Sequence, residues 1–168
     1  GRDASLAGLR NEGYEAIFLA VGAADSMAMQ IDGERGTGVV PAGDYLRQYN
    51  IRGSAPVGRN VIVVGGGNAA VDSARTAIRL GAESVTIIYR RTREQMPAYE
   101  EEIDEALHEG VRLRPLTQPV RVDRDPDGNV VGLLCNAMTL GEFDRSGRRR
   151  PQARGTRPFV LEADQIIV

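Results

Sequence analysis

The chain has 168 residues, 42% hydrophobic and 26% charged, with a formal net charge of −2. That near balance excludes a global field that would recruit nucleic acid or an anionic membrane, so the basic residues have to be read locally. Cys135 is the single cysteine, which excludes an internal disulfide, a CxxC redox pair and a cysteine-only metal or iron-sulfur site within these residues.

Ala4 to Asn11 has helical character and stops at Gly13, and "YEAIFLAVGA" after it reads as a buried strand closed by Gly22. No apolar run reaches the roughly 18 residues that a membrane-spanning helix requires, and "GRDASLAGLR" lacks the basic-then-apolar pattern of a secretory signal. The expectation is a soluble, cytoplasmic protein with no membrane partner. Residues 23 to 38 read as loop, "VVPAGDYLRQYNI" predicts a short helix from Ala42 to Tyr49, and "RGSAPVG" reads as a linker.

Asn60 to Val64 is a short β-branched strand, Asn68 to Leu80 a helix stopped by Gly81, and "SVTIIY" a second strand. In "MPAYEEEIDEALHEG" the acids crowd the N-terminal half, Ile103, Ala106 and Leu107 share a face, and Pro97 suits the first helical turn. "VRLRPL" predicts the third strand. "PVRVDRD", "DPDGNVVGLLCNAM" and "RPFVLEAD" alternate around an Asp127-Gly128 turn and predict an antiparallel meander; Arg145 to Arg157 reads as an arginine-rich loop, and "DQIIV" is a final strand. The fold class that follows is α/β: a Rossmann-like nucleotide-binding domain with a central, mainly parallel sheet, one clear βαβ unit and an antiparallel β-meander. Both ends stop in strand-like material that wants a neighbour, as expected of a piece of a longer protein. The alternative is that Phe18 and Ile167 share one small sheet.

Gly65, Gly67 and Ala70 fit G-x-G-x-x-G/A between a strand and a helix, the context that pattern needs. Gly65 permits the tight turn, Gly67 lets a diphosphate approach the backbone, and Ala70 lets the helix pack closely on the sheet. With Gly66, Asn68 and Ala69 these residues form a cradle whose free N–H groups and helix dipole favour an anion. At the end of the second strand, where an acid would receive the ribose of NAD, stand Tyr89, Arg90 and Arg91. A guanidinium pair suits the 2′-phosphate of NADPH, and two charge-assisted contacts at about 1.5–3 kcal/mol each would favour NADPH over NADH about a hundredfold or more.

Other candidates have plainer readings. His108, the sole histidine, sits at the end of a charged helix; Cys135 reads as a small buried side chain; the run Glu100 to Glu105 reads as a solvated helix face. The arginine-rich loop has no interleaved aromatic residues, so nucleic acid is a poor partner for it. Docking onto a neighbouring domain, contact with cofactor phosphates and simple solvation stay open.

The ordered set "YEAIFLAVGA", "VIVVGGGNAAVDSARTAIRLGAESVTIIYRR" with "EQMPAYEEE", "LGEFDRSGRRRP" and "LEADQIIV" resembles the NADPH-dependent flavoproteins similar to the small (beta) subunit of glutamate synthase. The resemblance implies that residues 59–163 are an NAD(P)H-binding domain, with 1–58 leading from an FAD-domain strand and 164–168 beginning the return to it. It further implies hydride transfer from NADPH to FAD, the FAD held by another domain of the same polypeptide. Electrons would then pass to iron-sulfur centres in a further domain or partner subunit. No side chain here is expected to act as an acid or base, and no metal site is expected. Asn68 either seats the cofactor or caps the turn; Asp72 matches the family pattern without an assigned role. The alternative function is a non-catalytic NADP(H) sensor or docking module.

Overall fold

The structure is a computed structural model that describes residues 4–20, 28–144 and 147–168. In chain order its first elements are α1 (Leu6–Asn11), β1 (Val39–Val40), α2 (Ala42–Arg52), β2 (Asn60–Val64), α3 (Asn68–Arg79), β3 (Ser84–Ile88), α4 (Glu100–His108) and β4 (Arg112–Arg114). The rest are β5 (Thr117–Arg124), β6 (Val130–Phe143), β7 (Arg149–Ala153), β8 (Phe159–Glu162) and β9 (Gln165–Ile167).

Five strands form one sheet in the order β1-β9-β2-β3-β4, and every pairing in it is parallel. β2 and β3 run in step from Asn60 opposite Ser84 to Val64 opposite Ile88. Strands covered on both faces lose the apolar/polar alternation and read as continuous Val and Ile runs, as these two do. One face carries α2, α3 and α4, and α3 packs through Val71, Ala74 and Ala77 onto Val61, Val63, Val85 and Ile87. The small residues of α3 are what bring the helix close to the sheet.

The opposite face, through Ile62, Ile88 and Ile166, packs on Val122, Val130, Leu133 and Cys135 of the meander. There the first half of β6 lies between β5 and β8, and its second half pairs with β7 to make a projecting hairpin. Cys135 is fully buried, and burial pushes its thiol up to about 12, as expected of a small core side chain. No helix among the described residues is long and apolar enough to cross a membrane.

Three expectations need correction. The strand expected from Tyr14 is absent from residues 14–20, where Phe18 is 93% exposed; residues 21–23 lie outside the described residues. Its apolar pattern is of strand type, but no edge among the described residues supplies the hydrogen bonds that would make it one. The arginine-rich segment is not loop throughout: Arg149–Ala153 forms β7, because an exposed edge strand needs only backbone partners on one side and tolerates Pro151. Pro97 lies ahead of the helix, which starts at Glu100, because the backbone before it is drawn onto the glycine turn.

Candidate functional site

The turn after β2 combines three different demands for glycine. Gly65 has φ +147°, a conformation side chains rarely adopt, and a Cβ there would stand 3.2 Å from Cβ of Ala70. At Gly66 a Cβ would stand 2.7 Å from the ring of Tyr89, so that ring forms a floor beneath the turn. Over Gly67 a Cβ would meet nothing within 4 Å. Steric closure below and open space above define a cradle with one accessible side.

Gly67 is the N-cap of α3 with no side-chain cap, and its carbonyl accepts from the amides of Ala70 and Val71. The amides of Asn68 and Ala69 have no intrahelical acceptor to reach, and they stand at the positive end of the helix dipole. Asn68 serves a neighbouring segment: its Oδ1 accepts from the Tyr99 amide at 3.2 Å, while the Ala98 amide donates to the Gly66 carbonyl at 3.1 Å. Residues 96–99 are thereby bound to the turn, an arrangement that Pro97 alone did not announce.

Tyr89, Arg90 and Arg91 diverge. Tyr89 is buried under the turn, its hydroxyl donating to the Gln95 carbonyl at 2.9 Å. Arg91 is 6% exposed; its Nε donates to the Arg149 carbonyl at 3.0 Å and its Nη2 meets Asp144 Oδ2 at 3.3 Å. Arg90 is exposed and makes no ion pair among the described residues. It borders a cavity of about 540 Å³ with Gly65, Tyr89, Thr117, Gln118 and Val168, at the carboxyl ends of β2, β3 and β9. Open α/β sheets take ligands at that edge.

The backbone around these residues is fixed by both layers. The Tyr89 amide donates to the Arg114 carbonyl, Thr117 to Tyr89, Leu116 to Arg91 and Met138 to Leu116. Arg93, close behind, is paired with Asp104 and is thus tied to α4. Asp144, the Ala98–Tyr99 contacts and the cavity wall from Ala28 to Ile31 were not singled out from sequence. The only signal for Asp144 is an acid set just ahead of an arginine run; the others carry no local signature because the fold alone brings them near.

A family model described as pyridine nucleotide-disulphide oxidoreductase matches residues 4–167. The beta subunit of an NADPH-Fe(3+) oxidoreductase from Geobacter sulfurreducens is 44% identical over 170 residues, which cover 99% of this chain and 25% of that subunit. The small chain of the NADPH glutamate synthase of Escherichia coli is 34% identical over 179 residues, covering 100% of this chain and 38% of that one. Among solved structures, Mycobacterium tuberculosis FprA in complex with NADPH superposes with a TM-score of 0.77 at 20% identity, over 95% of this chain and 50% of that one; this is a likeness of fold. The chain therefore spans a minor part of the length of these curated relatives.

Proposed function

Because the chain belongs to the pyridine nucleotide-disulphide oxidoreductase family, we propose that it is the NADPH-binding part of a flavin-dependent oxidoreductase similar to the glutamate synthase small chain. The observation that carries this reading is the exposed Arg90 at the end of β3, without an ion pair among the described residues, beside a glycine turn that is open only over Gly67. The residues fit the cofactor. The amides of Asn68 and Ala69 suit a diphosphate, Gly67 leaves room for it, and a cation stands where NAD would require a carboxylate.

In this reading Gly65 to Ala70 hold the diphosphate, Tyr89 supports the turn from below, and Arg90 receives the 2′-phosphate. Asn68 acts by fixing residues 98–99 against the cradle. Bound there, NADPH would supply hydride to an FAD held by another domain of the same polypeptide, for onward transfer to iron-sulfur centres in a further domain or partner. The names of two relatives, an NADPH-Fe(3+) oxidoreductase subunit and an NADPH glutamate synthase chain, support the choice of nucleotide. β1, α2 and β9 close the same sheet as the glycine turn, so we place the passage to the FAD domain outside Val39 to Ile167.

The test is anaerobic reduction of the full-length protein. NADPH should bleach the flavin absorbance faster than equimolar NADH, and Arg90→Ala should reduce that preference. A flavin that NADPH leaves oxidised would contradict the enzyme reading, and nucleotide binding without reduction would favour a sensor.

A further inference from the structure

The adjacent arginines after β3 are unequal. Arg90 faces solvent, whereas Arg91 is nine-tenths buried against the hairpin of β6 and β7. A guanidinium offers five N–H donors. Here Nε is used on the Arg149 carbonyl and Nη2 on Asp144, while Nη1 has no acceptor among the described residues. Asp144 is itself held, since its Oδ1 accepts from the Arg148 amide at 3.1 Å and the Asp144 amide donates to the Arg148 carbonyl at 2.7 Å. One carboxylate oxygen thus closes the hairpin turn and the other addresses Arg91.

A surface arginine carries rotamer entropy that it loses on gripping a phosphate. Arg91 has already lost that freedom to two protein acceptors, and its backbone carbonyl is fixed by the Leu116 amide at 2.9 Å. Holding a donor in place before the ligand arrives removes a cost from binding. We propose that Asp144 is a specificity-determining positioning residue, fixing Arg91, the sequence neighbour of Arg90, so that its unused Nη1 completes the site for the 2′-phosphate of NADPH. This rests on the reading that the chain binds NADPH. The hairpin, whose sequence shows only an exposed arginine run, thereby carries the carboxylate and the carbonyl that orient the second phosphate donor.

Dissociation constants of NADPH and NADH for the full chain, Asp144→Ala, Asp144→Asn, Arg91→Ala and the Arg91→Ala/Asp144→Ala double variant test it by calorimetry. Each Asp144 variant should bind NADPH about tenfold more weakly while NADH changes by less than about twofold, because only the phosphate contact is lost. In the Arg91→Ala background, Asp144→Ala should add no further loss, as expected of residues acting through one interaction. Equal loss for both nucleotides would make Asp144 a turn residue only, and tighter NADPH binding would make it a competitor for Arg91; either overturns the proposal. Should Asp144→Ala fail to fold, Asp144→Asn keeps the shape of the side chain and reads out the same loss of preference. A wild-type chain with no NADPH preference overturns both readings, whereas a preference lost in Arg90→Ala and intact in Asp144→Asn overturns this one alone.

Discussion

At the scale of single residues, neighbouring glycines of one turn are sensitive for opposite reasons. Gly66→Ala would press a methyl group into the Tyr89 ring, which is pinned through its hydroxyl to Gln95. Overpacking of this kind costs about 1–3 kcal/mol, so its thermal midpoint should fall by several degrees or more. Gly67→Ala meets nothing within 4 Å and has an ordinary φ of −89°. It should melt with the wild type yet bind NADPH more weakly, because the methyl group occupies the open side of the cradle. The sequence already marks the turn, since each small residue stands at a spacing the geometry demands. It does not mark which arginine stays in solvent, because that depends on the hairpin strand β7, brought to Arg91 from far along the chain.

Between elements, α3 and α4 are joined by Glu109, whose Oε1 accepts from Arg75 Nε at 3.0 Å and Nη2 at 2.8 Å and from Arg79 Nη2 at 2.6 Å. The hydrogen bond from Arg75, against the opposing effect of burial and with help from Arg79, holds the Glu109 carboxyl below the usual carboxylate range. A carboxyl with a depressed folded value stabilises the fold above its unfolded value near 4.3, and that contribution is lost as pH falls through the folded value. Glu109→Gln should therefore lower stability at neutral pH by about 1 kcal/mol, the pair being partly solvated, and should flatten the acid limb of stability against pH. Denaturant titrations from neutral pH down to pH 3 or so would show both effects. The helices could be placed from sequence because acidic first turns and closing glycines are local signals. β7 could not, since an edge strand of Arg, Pro and Gln is defined by its partner Met138–Phe143.

For the whole molecule, the deciding feature is that β9, the last strand in sequence, lies between β1 and β2. Its residues serve both layers: Ile166 packs toward the meander and Ile167 toward the helices, each fully buried. Ile166→Ala should cost about 2–5 kcal/mol in chemical denaturation, as expected of a side chain fully buried between the two layers. Composition and periodicity identify "DQIIV" as a strand, but its place in the sheet is a long-range property. The same distinction accounts for Tyr14 to Ala20, where strand-type residues lack an edge to pair with among the described residues. The three layers meet at the carboxyl ends of β2, β3 and β9, and there the glycine turn and Arg90 stand together. Titration of the full chain and of Arg90→Ala with NADPH and with NADH, followed by nucleotide fluorescence, tests that meeting point most directly. NADPH should bind the wild type about a hundredfold more tightly than NADH, and Arg90→Ala should cut that preference about tenfold, leaving the share held by Arg91. Equal affinities in the wild type, or a preference unchanged by loss of Arg90, would contradict the assignment.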